Sequence, residues 1–213
     1  MEELEEERCE ICDLPRTSLV CKNPICTSAA RCFEWNYAVA MRSGPLEEAI
    51  NAYKYQDRKE WAQIFARVLV GFLDSLPDTF RQFDLITASP VFVGRGASSR
   101  TWDHTRRVLM LAYGFSEGCW PFDVGQPPAI IKLNATTPMQ GKTWKDRDRI
   151  AVDELRPALQ VPMPSRILKK RVLVYDDVFT SGHTLNEVAR RLRLDGASAV
   201  CGVTLARQKF RGR

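Results

Sequence analysis

At 213 residues the chain is long enough for one α/β domain with a buried core and a small appendage, and too short for two large enzyme domains. Apolar residues at 45% and charged residues at 27% argue against disorder, and no apolar run approaches the length of a bilayer span. The net charge of +5 is modest and dispersed; its densest stretches, Arg166–Arg171 and the tail Arg207–Arg213, are expected to be solvated charge beside buried strands.

The acidic leader Met1–Arg8 lacks the basic start and apolar run of a secretory signal, so a cytoplasmic location is expected. In a reducing compartment cysteines serve as thiols or metal ligands. Residues 8–35 hold five of the seven cysteines together with Pro15 and Pro24, without apolar periodicity, which predicts a knob that needs a staple to fold. Cys9-x2-Cys12 and Cys21-x4-Cys26 supply two thiolate pairs at spacings suited to a closed, structural tetrahedral zinc site, with Cys32 as an alternative to Cys26. Cys119 and Cys201 are isolated and are expected in the core. The expected division is a knob with its leader over 1–36 and a main domain over 37–213.

After Gly44-Pro45, the spacing of Leu46, Ala49, Ile50 and Tyr53 predicts a helix. A second runs from Trp61 to Leu76, with apolar residues recurring at three and four until Pro77 stops it. Asp84–Pro90 reads as a short strand entering a loop, Trp102–Tyr113 as a helix, and Ala129–Leu133 as a strand. Asn134–Ile150 is polar, charged and non-periodic, the composition of a mobile loop. Arg171–Tyr175 is a continuous apolar run suited to a strand buried on both faces, followed by a helix over Leu185–Leu194 and a second run, Ser198–Leu205. Strand, helix and strand within about 35 residues form the βαβ unit of a parallel sheet, so the fold class is α/β.

The chemistry concentrates in Val172–Thr184. An apolar strand ends at Asp176 and Asp177, and then Thr180, Ser181, Gly182, His183 and Thr184 turn the chain into a helix. Open α/β sheets bind ligands at that carboxyl edge. Backbone amides of 180–184 can converge on one anion at the helix N-terminus, with Gly182 allowing close approach and the hydroxyls adding donors. The two carboxylates stand where vicinal hydroxyls of a phosphorylated sugar would lie, but adjacent strand residues face opposite ways, so both serve one ligand only if the strand is already turning there. His104 and His183, the only histidines, are expected to be structural or solvent-facing at least as readily as catalytic.

This segment resembles the diphosphate-sugar motif of type I phosphoribosyltransferases: four apolar residues, two acids, then small residues ending in Thr/Ser-Gly-x-Thr. The chain as a whole resembles the ComF-like family, amidophosphoribosyltransferase-like proteins with an N-terminal zinc ribbon. The agreement in order runs through the paired cysteines, Tyr53-Lys-Tyr55 before Trp61, and Ser89-Pro90. Arg100–His104 follows where that family has Arg-Gly-Phe-Asn-Gln, and Gln140 and Arg147 fall in the charged loop. The resemblance implies a type I phosphoribosyltransferase fold with a zinc-ribbon-like knob. It also implies 5-phosphoribosyl-1-pyrophosphate as ligand, with magnesium: residues 180–184 on the 5-phosphate, Asp176 and Asp177 on the ribose, and the pyrophosphate near Ser89–Gly94. Ser89, Arg95, Arg100, Lys142 and Arg147 are the pyrophosphate-side candidates, with Asn134–Arg149, which also carries Lys145, as a lid. It leaves two roles open: catalytic transfer to an unidentified acceptor, or a non-catalytic accessory role in DNA uptake or regulation with single-stranded DNA or a competence protein as partner. A homodimer is compatible with either, and no membrane partner is implied.

Overall fold

The computed structural model describes residues 7–16, 18–78, 82–94 and 101–209. At its centre is a four-stranded, all-parallel sheet in the order β1 (Asn36–Met41), β6 (Ala199–Arg207), β5 (Arg171–Phe179), β2 (Leu85–Ala88). The two central strands carry the longest apolar runs because both of their faces are covered. One face meets α1 (Gly44–Tyr55), α2 (Trp61–Ser75) and α3 (His104–Phe115), burying Leu173, Tyr175, Cys201, Val203 and Leu205. The other meets α6 (His183–Leu194), the cysteine knob and the segment around Ile130–Ile167, burying Val172, Val174 and Val200. No helix among the described residues is long and apolar enough to cross a membrane.

Most predicted elements are present, with shifted ends. Strand β5 continues four residues beyond Tyr175, so both acids lie within it and not after it. The Ala129–Leu133 strand is reduced to β3 (Ile131–Lys132), which pairs antiparallel with β4 (Leu159–Gln160) outside the main sheet. Strand β1 was not predicted; its order comes from pairing with β6, a partner more than 160 residues away.

The segment expected to be a loop, Asn134–Ile150, is helical in its second half. Helix α4 (Trp144–Ile150) begins at the Thr143 cap, whose Oγ1 accepts from the Asp146 N–H while the Asp146 carboxylate accepts from the Thr143 hydroxyl. The first of these bonds satisfies one of the N–H groups that a helix start leaves without a partner, and the second holds the Thr143 hydroxyl in place for it. The helix then passes through one π turn (Ala151–Leu155) into α5 (Arg156–Ala158). Cys201 is buried as expected, but Cys119 is exposed. It ends a tight turn in which Glu117 and Gly118 have positive φ and the Cys119 N–H bonds Ser116, which leaves its side chain no core to enter.

Candidate functional site

The carboxyl ends of β5 and β6, the N-terminus of α6, the start of α1 and residues 138–147 enclose a cavity of about 1280 Å³. Thr180, Ser181, Gly182, His183 and Thr184 all line it, as do Lys142 and Arg147. Gly182 has φ +91°, a conformation that disfavours any side chain, and a Cβ there would stand 2.7 Å from the Phe179 ring and 3.2 Å from Ile25. The turn therefore needs glycine both for its dihedral and for its packing. Helix α6 starts directly after it, so unpaired amides and the positive end of the helix dipole face the cavity.

Alternation along β5 separates the two acids. Asp176 lines the cavity, whereas Asp177 is turned to the opposite face, 3% exposed, between α1 and α3. There Lys54 Nζ lies 2.7 Å and His104 Nε2 3.0 Å from Asp177 Oδ2, and the Tyr53 hydroxyl donates to the His104 carbonyl at 2.7 Å. Burial opposes ionisation of Asp177, but Lys54 and His104 together outweigh it and hold the carboxyl well below its usual range. Asp176 is pushed the other way, to about 7, first by burial and then by the neighbouring Asp177 charge. Its Oδ1 accepts from the Asp177 N–H at 2.8 Å. One acid is thus a fixed, ionised anchor and the other meets the cavity.

In the sequence Lys54 stands out only as part of Tyr53-Lys-Tyr55, and its pairing with a residue 123 positions away has no local sequence signal. Both histidines are buried. His183 Nδ1 is 2.7 Å from Ser181 Oγ within the turn, Trp144 packs on its ring at 4.3 Å, and burial lowers its pKa. The 138–147 segment is tied over the cavity by three contacts: Trp144 on His183, the Tyr55 hydroxyl donating to Gln140 Oε1 at 2.7 Å, and Thr184 on Met139 sulfur at 3.9 Å. Ser89 lies at the same sheet edge, its N–H bonded to the Tyr175 carbonyl, but it is buried and does not line the cavity. Arg95 and Arg100 lie outside the described residues.

The knob gathers Cys9, Cys12, Cys21 and Cys26, with all four sulfurs within 4.8 Å of one another. Cys9–Cys26 and Cys12–Cys21 are each separated by 3.7 Å. A tetrahedral zinc with four thiolates places its sulfurs ~3.8 Å apart, given Zn–S bonds of about 2.3 Å, so the donor set fits that ion and not a pair of disulfides. Cys32 is outside the cluster; its N–H donates to Asn186 Oδ1 at 2.8 Å. The Cys12 thiol is held down to about 4, first by its hydrogen bond with Cys26 and then, against burial, by the charge of Arg207.

Arg207 departs from the expected solvated tail: it is 0% exposed and ends β6 between the knob and the turn.

Fold and site together define a mixed α/β protein with a parallel sheet, a ligand-sized cavity at its carboxyl edge and a cysteine cluster suited to a structural metal. No protein-family model matches the chain, and no curated protein is significantly similar to it.

Proposed function

We propose that the chain is a ComF-like type I phosphoribosyltransferase that binds 5-phosphoribosyl-1-pyrophosphate and transfers its phosphoribosyl group to an acceptor, releasing pyrophosphate. The observation that carries this reading is the convergence on one cavity of Asp176, the 180–184 amides and the α6 N-terminus at the end of a parallel strand. Dinucleotide-binding sites use the same edge, but they place their glycines in the first βα turn and not after a pair of acids.

In this account the 5-phosphate sits in the Thr180–Thr184 turn, accepting from backbone N–H groups and from the Thr180, Ser181 and Thr184 hydroxyls. The ribose hydroxyls donate to Asp176, while Lys54 and His104 keep Asp177 ionised behind it. Asp176 with the Thr180 and Thr184 hydroxyls is a hard oxygen donor set that would suit magnesium, and that ion would supply charge neutralisation for the leaving pyrophosphate. Lys142 and Arg147 add positive charge on the 138–147 side of the cavity. The acceptor nucleophile attacks the anomeric carbon as the bond to pyrophosphate breaks; the two electrons leave with pyrophosphate and the nucleophile gives up its proton. Closure by the segment around Trp144 excludes water, which would otherwise hydrolyse the cation-like ribosyl centre. At about 1280 Å³ the cavity exceeds the usual 300–1,000 Å³ of a single small-ligand site, which leaves room for an acceptor.

The test is pyrophosphate release from 5-phosphoribosyl-1-pyrophosphate and magnesium with a panel of nucleobases, amines and amides. Release that requires one acceptor and disappears in Asp176→Asn supports the reading. Neither binding of the sugar diphosphate nor release with any acceptor overturns it.

A further inference from the structure

The knob is joined to the turn more closely than an appended zinc ribbon requires. Arg207 donates through Nε to the Cys12 carbonyl at 2.7 Å and through Nη2 to the Cys12 sulfur at 3.4 Å. Through Nη1 it donates to the Thr180 carbonyl at 2.7 Å, the Phe179 carbonyl at 3.2 Å and the Gln208 carbonyl at 2.6 Å. Its guanidinium also lies over the Phe179 ring, 4.8 Å from the centroid, and Phe33 of the knob meets that ring edge-on at 6.0 Å. Ile25, one residue before Cys26, is the group a Cβ on Gly182 would strike from the knob side.

A buried cation needs an anion or a full set of acceptors. Among the described residues, the hydrogen-bond partners of Arg207 are carbonyls and one cysteine sulfur, with no carboxylate. Four thiolates around a divalent ion carry a net double negative charge, half of which the guanidinium offsets. One planar fork thereby holds both the cluster and the carbonyls of Phe179 and Thr180, the residues that open the turn.

We propose that Arg207 is a positioning residue that links the cysteine cluster to the 179–184 turn, so that metal held by the four thiolates tightens the turn's hold on phosphate. The phosphate part rests on the functional reading above; the mechanical part does not. The coupling is reciprocal, so the sugar diphosphate must raise metal affinity by the same factor by which the metal raises its own.

The experiment uses the full chain, metal-loaded or stripped by a chelator that spares magnesium, as wild type and Arg207→Lys. Three quantities are read: hydrogen exchange of the 179–184 amides, metal affinity by dye competition, and calorimetric affinity for 5-phosphoribosyl-1-pyrophosphate. Stripping the wild type is expected to speed exchange at 179–184 and to weaken sugar-diphosphate binding about tenfold, within the usual span of coupling. Loaded Arg207→Lys, which keeps the charge but loses the fork, is expected to bind about tenfold more weakly, with little further loss on stripping. Wild-type affinity in Arg207→Lys, or losses from the substitution and from stripping that simply multiply, overturns the proposal. If the loaded wild type does not bind the sugar diphosphate, the functional reading fails, and exchange at 179–184 alone decides the link. If Arg207→Lys does not fold, the loaded and stripped wild types decide it, and unchanged exchange at 179–184 refutes it.

Discussion

Replacing Asp176 by asparagine is expected to make the ligand-free protein more stable while impairing the site. The carboxyl, ordinarily near 3.8, is raised to about 7 in the fold. At about 1.4 kcal/mol for each tenfold change in proton affinity, ionised Asp176 costs the native state roughly 4 kcal/mol above pH 7. The sign follows from linkage. Between about pH 4 and pH 7 the folded chain holds this proton while the unfolded chain has released it, so wild-type stability falls as pH rises through that window. Asparagine carries no charge, and its amide oxygen can still accept from the Asp177 N–H that Asp176 Oδ1 now serves. Asp177, held well below its usual range, stays ionised across the window and adds no slope of its own there. Because cavity water screens part of the cost, the expected gain at pH 8 is about 2–4 kcal/mol, narrowing steadily toward pH 4.5. Urea unfolding followed by tryptophan fluorescence over pH 4.5–8, with unchanged m, measures it. A variant no more stable than wild type at pH 8, or a difference that does not narrow with acid, refutes the charge assignment.

Lys54→Met leaves the buried Asp177 without its closest cation and should destabilise the fold by about 3–5 kcal/mol in the same assay, much of it recovered in Lys54→Met/Asp177→Leu. The depressed Asp177 carboxyl contributes stability that is fully present above about pH 4 and is lost on further acidification, so the wild type should show an acid transition that the double variant lacks. Gly182→Ala, at φ +91° against Phe179 and Ile25, should cost roughly 1–3 kcal/mol in urea unfolding and weaken sugar-diphosphate binding. Atomic absorption should find one zinc per chain, reduced to none by Cys9→Ser/Cys12→Ser, with the knob exchanging its amides freely once the metal is gone.

The β5–α6–β6 unit and the 180–184 turn were legible because they are local: a doubly buried strand must be apolar throughout, and a turn at φ +91° must carry glycine. The cysteine pairs were legible for the same reason, since metal spacing is written over a few residues. Strand β1 was not, because only its distant partner β6 orders it. Thr143 and Asp146 carried a readable cap signal that the polar composition around them obscured. The different fates of Asp176 and Asp177 could be foreseen as alternation, but not the Lys54 and His104 that fix one of them, which arrive from two separate helices. Arg207 looked like the first residue of a basic tail; its burial follows from where β6 ends relative to the knob, and composition does not encode that.

The central claim is that Asp176 and the 180–184 turn form a binding site for a sugar diphosphate. Calorimetric titration of the metal-loaded chain with 5-phosphoribosyl-1-pyrophosphate and magnesium tests it most directly, alongside Asp176→Asn. One site per wild-type chain is predicted, with binding at least tenfold weaker in the variant even though the variant is the more stable protein. No binding by the wild type at millimolar ligand, or equal binding by both, contradicts it.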